Sequence, residues 1–144
     1  MANSLFNFLN LSDLNGTNGF FINGIAEGDF SGNSVSNAGD INNDGIDDLI
    51  IGAPGADPNG NSGAGQSYVV FGGTNLGSGG SLNLSDLNGT NGFIINGIAA
   101  YNYSGYSGDS VSNAGDINND GIDDLIIGVP FAPPTASLVL GKAM

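Results

Sequence analysis

One block occurs twice, letter for letter: SVSNAGDINNDGIDDLIIG stands at 34–52 and again at 110–128. Each copy holds an Asp-x-Asn-x-Asp-Gly-x-x-Asp loop that runs into an apolar stretch. The oxygen-bearing side chains are Asp40, Asn42, Asp44 and Asp48 in the first copy, and Asp116, Asn118, Asp120 and Asp124 in the second. A hard cation such as calcium takes several oxygen ligands at about 2.3–2.6 Å and needs a glycine where the chain turns sharply. Alternate residues of a tight loop aim their oxygens inward, and Gly45 and Gly121 stand at the turn. The pattern predicts a duplicated calcium-binding module holding two Ca²⁺ per chain. A polar turn without an ion is the competing reading, and four oxygen side chains at alternating positions, repeated, weigh against it. An EF-hand would require a carboxylate at position twelve and a following helix, where this chain has Ile51 or Ile127 in a β-type run. Asp47 and Asp123, at the eighth position, read as solvated charges rather than ligands.

Composition supports that reading. Of 144 residues 14 are acidic and only one is basic, giving a formal charge of −13. The two loops hold eight of the 14 acids, and such a one-sided charge opposes compaction unless cations offset it. The balance excludes nucleic acid, which requires basic patches, and anionic membrane surfaces, which attract polybasic segments. With no Cys and no His, disulfides, thiolate sites and the usual nucleophile–base pairs are absent. Acid–base work would fall to carboxylates, most of them committed to the loops, and Asp13, Asp86 and Asp109 form no visible pair. The expectation is a non-enzyme. No apolar run reaches the ~20 residues of a membrane span, so no membrane insertion is expected. The first residues lack the basic and apolar regions of a standard signal peptide. Calcium loops of this weak type nevertheless favour an extracellular or cell-surface location.

The duplication extends further. LSDLNGTNGF at 11–20 returns at 84–93, and these stretches read as turns served by Asp and Asn-Gly. A unit of about 75 residues is long for a helical repeat and suits four β-strands. Strands are predicted at 20–25, 34–37, 48–52, 67–71, 93–98, 110–113, 124–128 and 137–140, each a β-rich run bounded by Gly, Asn, Asp or Ser. The runs around Ile50 and Ile126 are apolar on both faces, as central buried strands are. Short strands at regular spacing indicate a sandwich, barrel or propeller. If each unit is a blade, the chain opens with a fourth strand and closes after a third. Two blades cannot close a ring, and unpaired strand edges are normally covered. The phase therefore predicts head-to-tail association, with 20–25 donated to a neighbour's last blade. Heterologous contacts of that kind give rings or open filaments. A homotrimer of six blades is favoured, with a tetramer of eight or a filament as the other outcomes.

FSGNSVSNAGD at 30–40 with DLIIGAP at 48–54, and YSGDSV at 106–111 with DLIIGVP at 124–130, resemble FG-GAP repeats, the blades of integrin α-like β-propellers. The resemblance spans roughly residues 19–141. Phe and Gly are split by Ser31, the second copy has Tyr106-Ser107-Gly108 and Gly-Val-Pro, and the family's propellers carry more blades on one chain. The resemblance implies an all-β fold of two four-stranded antiparallel blades, which the strand phase makes circularly offset and completed by oligomerisation. It also implies a loop linking the first two strands of each blade, with the backbone carbonyls of Ile46 and Ile122 added to the side-chain ligands. The expected division is an N-terminal segment (1–18), a donated outer strand (19–25), a complete blade (26–98) and a second blade without its fourth strand (99–144).

Tyr101, Tyr103 and Tyr106 cluster where the second copy is longer. Tyr101 and Tyr103 are the candidate ligand-binding residues, offering aromatic faces to a protein or glycan. The competing reading places Tyr106 in the core at the position of Phe30, with the other two covering its edge. The functional expectation is a calcium-stabilised adhesion or scaffold module; a fibre or sheath subunit and an oligomeric lectin are the alternatives.

Overall fold

The computed structural model describes residues 8–97, 109–129 and the backbone of 136–140. Tyr101, Tyr103 and Tyr106 lie outside these described residues. Nine strands are found among them: β1 (Phe21–Asn23), β2 (Ser34–Gly39), β3 (Asp48–Ala53), β4 (Gln66–Val70), β5 (Ser81–Asn83), β6 (Gly92–Asn96), β7 (Ser110–Gly115), β8 (Asp124–Val129) and β9 (Ala136–Leu140). They form a four-stranded sheet in the order β2-β3-β4-β6, a three-stranded sheet β7-β8-β9, and a two-stranded pair β1-β5. The first two sheets are antiparallel throughout, so the all-β, blade-like architecture holds. β3 and β8 are central in their sheets, as runs with no polar face must be.

The sheets carry two layers of packing because side chains of a strand alternate between faces. Ile50 points to one side of β3 and joins Ala38, Ile41 and Val69 against Leu125 and Ile127 of the second sheet. Phe71, Phe93, Ile95, Val111 and Val129 complete this interface, with Phe71 and Phe93 meeting edge to face at 6.0 Å between centroids. Ile51 points the other way, into a cluster with Ala53, Ala56, Tyr68, Val70 and Leu84, flanked by Ile22, Leu76, Leu82 and Leu87. A wholly buried Ile or Val contributes about 1.5–3 kcal/mol, so several such residues make the contact between sheets a true core.

Three features depart from the sequence reading. The first strand is three residues long, and it pairs in parallel with β5 of the same chain, in the register Phe21↔Ser81, Ile22↔Leu82 and Asn23↔Asn83. β5 itself lies just before the LSDLNG stretch and was not expected. Phe30 is not a core residue: it is 69% exposed, with φ of 54°. Its position is set by the backbone, since Gly32 N–H donates to the Gly52 carbonyl and Gly55 N–H to that of Asp29. These bonds clip the Phe-Ser-Gly segment onto Gly-Ala-Pro, and the ring lies against Gly55, where a Cβ would collide with it. The LSDLNG stretches do form turns, each a 3₁₀ turn (Leu11–Asp13 and Leu84–Asp86) followed by an Asn whose Oδ1 accepts from the threonine two residues on.

Tyr68 is fully buried on β4 and donates its hydroxyl proton to Gln66 Oε1 at 2.8 Å. Burial, reinforced by the nearby Asp29 charge, pushes its phenol from 10.0 up to about 12. The unfolded chain therefore loses this proton first, and the stability present below pH 10 falls as the pH rises toward 12. Unfolding free energies measured across that window should decline more steeply for the wild type than for Tyr68→Phe.

Candidate metal centres

Each candidate loop joins the first two strands of its sheet: residues 40–47 connect β2 to β3, and 116–123 connect β7 to β8. A β-bulge marks the entry, between Asn37 and Gly39 and again between Asn113 and Gly115. The bulge requires φ of +74° at Gly39 and +68° at Gly115, a region open to glycine. Asn37 and Asn113 each close the bulge by accepting the glycine N–H on the side-chain oxygen. Inside the loops, Gly45 and Gly121 take positive φ, as the sharp turn demands. Asn43 and Asn119 do so too, at 59° and 61°, and asparagine is among the few residues that tolerate it.

The predicted ligands fold into their own loops. Asp40 accepts the Asp44 N–H on one oxygen and the Gly45 N–H on the other, at 2.9 and 2.8 Å. Asn42 Oδ1 accepts the Asp44 N–H, and Asp44 Oδ1 accepts the Ile46 N–H, both at 2.9 Å. The second loop repeats this pattern through Asp116 and Asp120. Asp48 differs from the other three. It is wholly buried, accepting the Ile41 N–H at 3.0 Å and, across the sheet end, the Gly72 N–H at 2.7 Å. Burial pushes its carboxyl above the ordinary range; the two backbone bonds oppose that push, and the charges of Asp44 and Asp40 add to it. Asp124 is likewise buried, accepting from Ile117 N–H and Asn118 Nδ2.

Among the described residues no three carboxylates converge as a ready-made cation cage. The loop amides hold the oxygens instead. The donor chemistry still fits a hard cation. An ionised carboxylate has about four lone-pair sites, so Asp40 retains acceptor capacity after taking two amides. The set consists of oxygens alone, Asp44 and Asp40 lie close enough to Asp48 to raise its proton affinity, and the whole chain supplies one basic residue to offset it. The loops can thus present three carboxylates, an amide oxygen and the Ile46 or Ile122 carbonyl.

The eighth-position aspartate of the second loop corrects the sequence reading. Asp47 accepts from Asn37 Nδ2 at 2.8 Å. Asp123 is half-buried between the sheets; it accepts from Asn113 Nδ2 and, from the other sheet, from the Asp40 N–H, both at 3.3 Å. It stands where a Cβ on Gly39 would be. Asp123 is therefore not a solvated charge, whereas Asp47 stays exposed beside Asn37. The only available signal was the Asn that precedes each Asp by one hairpin, and its meaning depends on a bulge register that periodicity does not show.

The sequence matches the FG-GAP repeat family over residues 31–70 and 107–140. It is 36% identical over 106 residues to integrin alpha-5 of Xenopus laevis, covering 71% of this chain and 9% of that protein. It is 34% identical over 100 residues to integrin alpha-8 of Mus musculus, covering 65% of this chain and 8% of that one. The chain thus spans under a tenth of the length of these relatives.

Asp48 is the residue on which loop closure depends. Asp48→Ala leaves the Ile41 and Gly72 amides without their charged acceptor, and hydrogen bonds to charged groups contribute about 1.5–3 kcal/mol each. Denaturant unfolding of the calcium-free protein should show a loss of at least ~2 kcal/mol, whereas Asp47→Ala, at an exposed carboxylate, should cost under ~1 kcal/mol.

Proposed function

Because the chain belongs to the FG-GAP repeat family, we propose that it is a calcium-stabilised β-propeller module with no catalytic role, acting outside the cell in adhesion or as a scaffold. The observation that carries this reading is the loop geometry, a wholly buried Asp48 carboxylate beside Asp40 and Asp44 carboxylates folded onto the loop amides, in a chain with a single basic residue. Asp40, Asn42, Asp44, Asp48 and the Ile46 carbonyl would hold one Ca²⁺, and Asp116, Asn118, Asp120, Asp124 and the Ile122 carbonyl a second. A bound divalent cation supplies the positive charge that these loops lack. Extracellular modules of this kind work at calcium affinities of about 10⁻⁴–10⁻³ M, which suits the world outside the cell.

The remaining acids support a non-enzymatic role. Asp13 and Asp86 are exposed and accept from Asn10 and Asn83 beside them, so they serve their own turns. Assembly of copies head to tail, through the N-terminal strand, belongs to the same proposal, with a ring of three chains favoured.

A calorimetric or fluorescence melt in calcium and in excess chelator tests the ion. Saturating two sites a hundredfold above their dissociation constants stabilises the fold by about 5 kcal/mol, a shift of roughly 10–20 °C in Tm for a chain of this size. The double variant Asp44→Asn, Asp120→Asn should melt at the chelated temperature with or without calcium. A wild-type melt indifferent to the chelator would remove calcium from the account.

A further inference from the structure

Repeated sequence places identical residues in two environments. Ile50 of the first sheet is wholly buried against the second sheet, while its counterpart Ile126 is 36% exposed. Conversely, Leu125 is 1% exposed beneath the first sheet, while its counterpart Leu49 is 36% exposed. Val35, the counterpart of the half-buried Val111, is 67% exposed. One face of each sheet is therefore satisfied within the chain; the opposite face of the first sheet is packed around Ile51 and Tyr68 but open at Val35 and Leu49, and that of the second is open at Ile126. The two open faces are those that meet each other, in duplicate, at the internal interface. The open face of the first sheet also borders a cavity of about 360 Å³ lined by Ile22, Val35, Leu49, Ile51 and Leu84.

Polar contacts repeat the same asymmetry. Within the chain, Asp123 accepts the Asp40 N–H and fills the space over Gly39. Its counterpart Asp47 is oriented by Asn37 as Asp123 is by Asn113, yet it is exposed. The space over Gly115, the counterpart of Gly39, is empty to 4 Å. One half of a donor–acceptor pair thus stands on each side of the molecule: the Asp47 carboxylate on one and the open space over Gly115 on the other.

The N-terminal strand is already in place. β6 packs Ile95 onto the interface cluster, and β1 packs Ile22, the counterpart of Ile95, onto the cluster of the opposite face. β1 thus stands before the first sheet as β6 stands before the second. Phe21 N–H donates to the Gly80 carbonyl at 3.0 Å, so Phe21 and Asn23 turn their backbone groups toward β5 and Ile22 turns its groups to the opposite edge. In the complete sheet, Ser67 of β4 pairs with Ile95. The counterpart of Ser67 in β9 is Ser137, opposite Gly128 as Ser67 is opposite Gly52. Among the described residues β9 has no strand on its outer side.

We propose that a second copy of this chain docks here head to tail: the Ile126 face of one copy covers Val35 and Leu49 of the next, Asp47 accepts the Asp116 N–H of its neighbour, and β9 pairs antiparallel with the neighbour's β1 in the register Ser137↔Ile22. The inference deepens the assembly reading given above and rests on it. The contact is heterologous, so it propagates until rotation closes it into a ring or leaves a filament. An exposed apolar face and an exposed strand edge are covered in one step.

The test uses light scattering or native mass spectrometry on the 144-residue chain in calcium. The wild type should assemble. Val35→Glu and Ile126→Glu should each be monomeric and still unfold cooperatively, because neither side chain is fully buried in the single chain. Mixed in equal amounts, the two variants keep one intact face each and should give a one-to-one dimer and nothing larger. Should either glutamate variant fail to fold, Asp47→Ala replaces it, with association at least about tenfold weaker. The double variant Phe21→Cys, Leu138→Cys should link chains on oxidation, since those positions fall opposite each other in the proposed register. A monomeric wild type, single variants that still assemble, or a mixture without dimer would each overturn the proposal. A monomer that keeps its calcium-dependent melt would overturn this interface alone, and a chelator-insensitive oligomer would instead remove the calcium reading.

Discussion

A buried aspartate with two backbone amides holds each part of the first blade to the next. Asp48 takes the Ile41 N–H at the start of the loop and the Gly72 N–H just past the end of β4. One carboxylate therefore ties the loop entry, the first residue of β3 and the exit of the third strand. An isolated ionised carboxylate in an apolar interior costs far more than the fold can supply. Hydrogen bonds from the two amides offset much of that cost, and the like charges of Asp40 and Asp44 add to it. The loop is thus well formed and electrostatically unsatisfied at once, a condition that an oxygen-seeking cation relieves.

The contact between the two sheets depends on the same loop from the other side. Asp40 gives its carboxylate to the Asp44 and Gly45 amides, while its own N–H goes to Asp123 of the neighbouring sheet. Asn33 Nδ2 adds a second polar link, to the Asp109 carbonyl at 3.4 Å. These bonds flank the apolar contact of Ile50 and Val69 with Leu125 and Ile127. The apolar residues supply most of the stabilisation, since a net hydrogen bond contributes only about 0.5–1.5 kcal/mol. The polar ones fix the register, because a shift of one residue would leave Asp123 against the wrong amide.

Much of this was legible in the sequence, for physical reasons that differ by element. β3 and β8 could be found because a strand buried on both faces must be apolar throughout, and Leu-Ile-Ile-Gly is. The loops could be found because oxygen ligation and a tight turn leave a fixed spacing of Asp, Asn and Gly. β5 could not: Ser81-Leu82-Asn83 has no alternation long enough to read, and it is a strand only because Phe21–Asn23 lies beside it. Phe30 misled because an aromatic is expected inside, whereas its left-handed backbone, clipped by Gly32 and Gly55, turns it outward. Asp123 was read as a free charge because nothing local distinguishes it from Asp47, and only the neighbouring sheet gives the two different surroundings.

That last difference bears on how ion loop and blade contact relate. Asp123 is adjacent in sequence to Asp124, the buried carboxylate of the second loop, and it touches the amide of Asp40, the first residue of the first loop. The two candidate sites are therefore joined through a single hydrogen bond and one peptide unit rather than through a long path. A cation held in the first loop as proposed would stand beside the oxygens of Asp123, and opposite charges at such range attract. If the loops take calcium as proposed, filling the loop and seating the neighbouring sheet would favour each other.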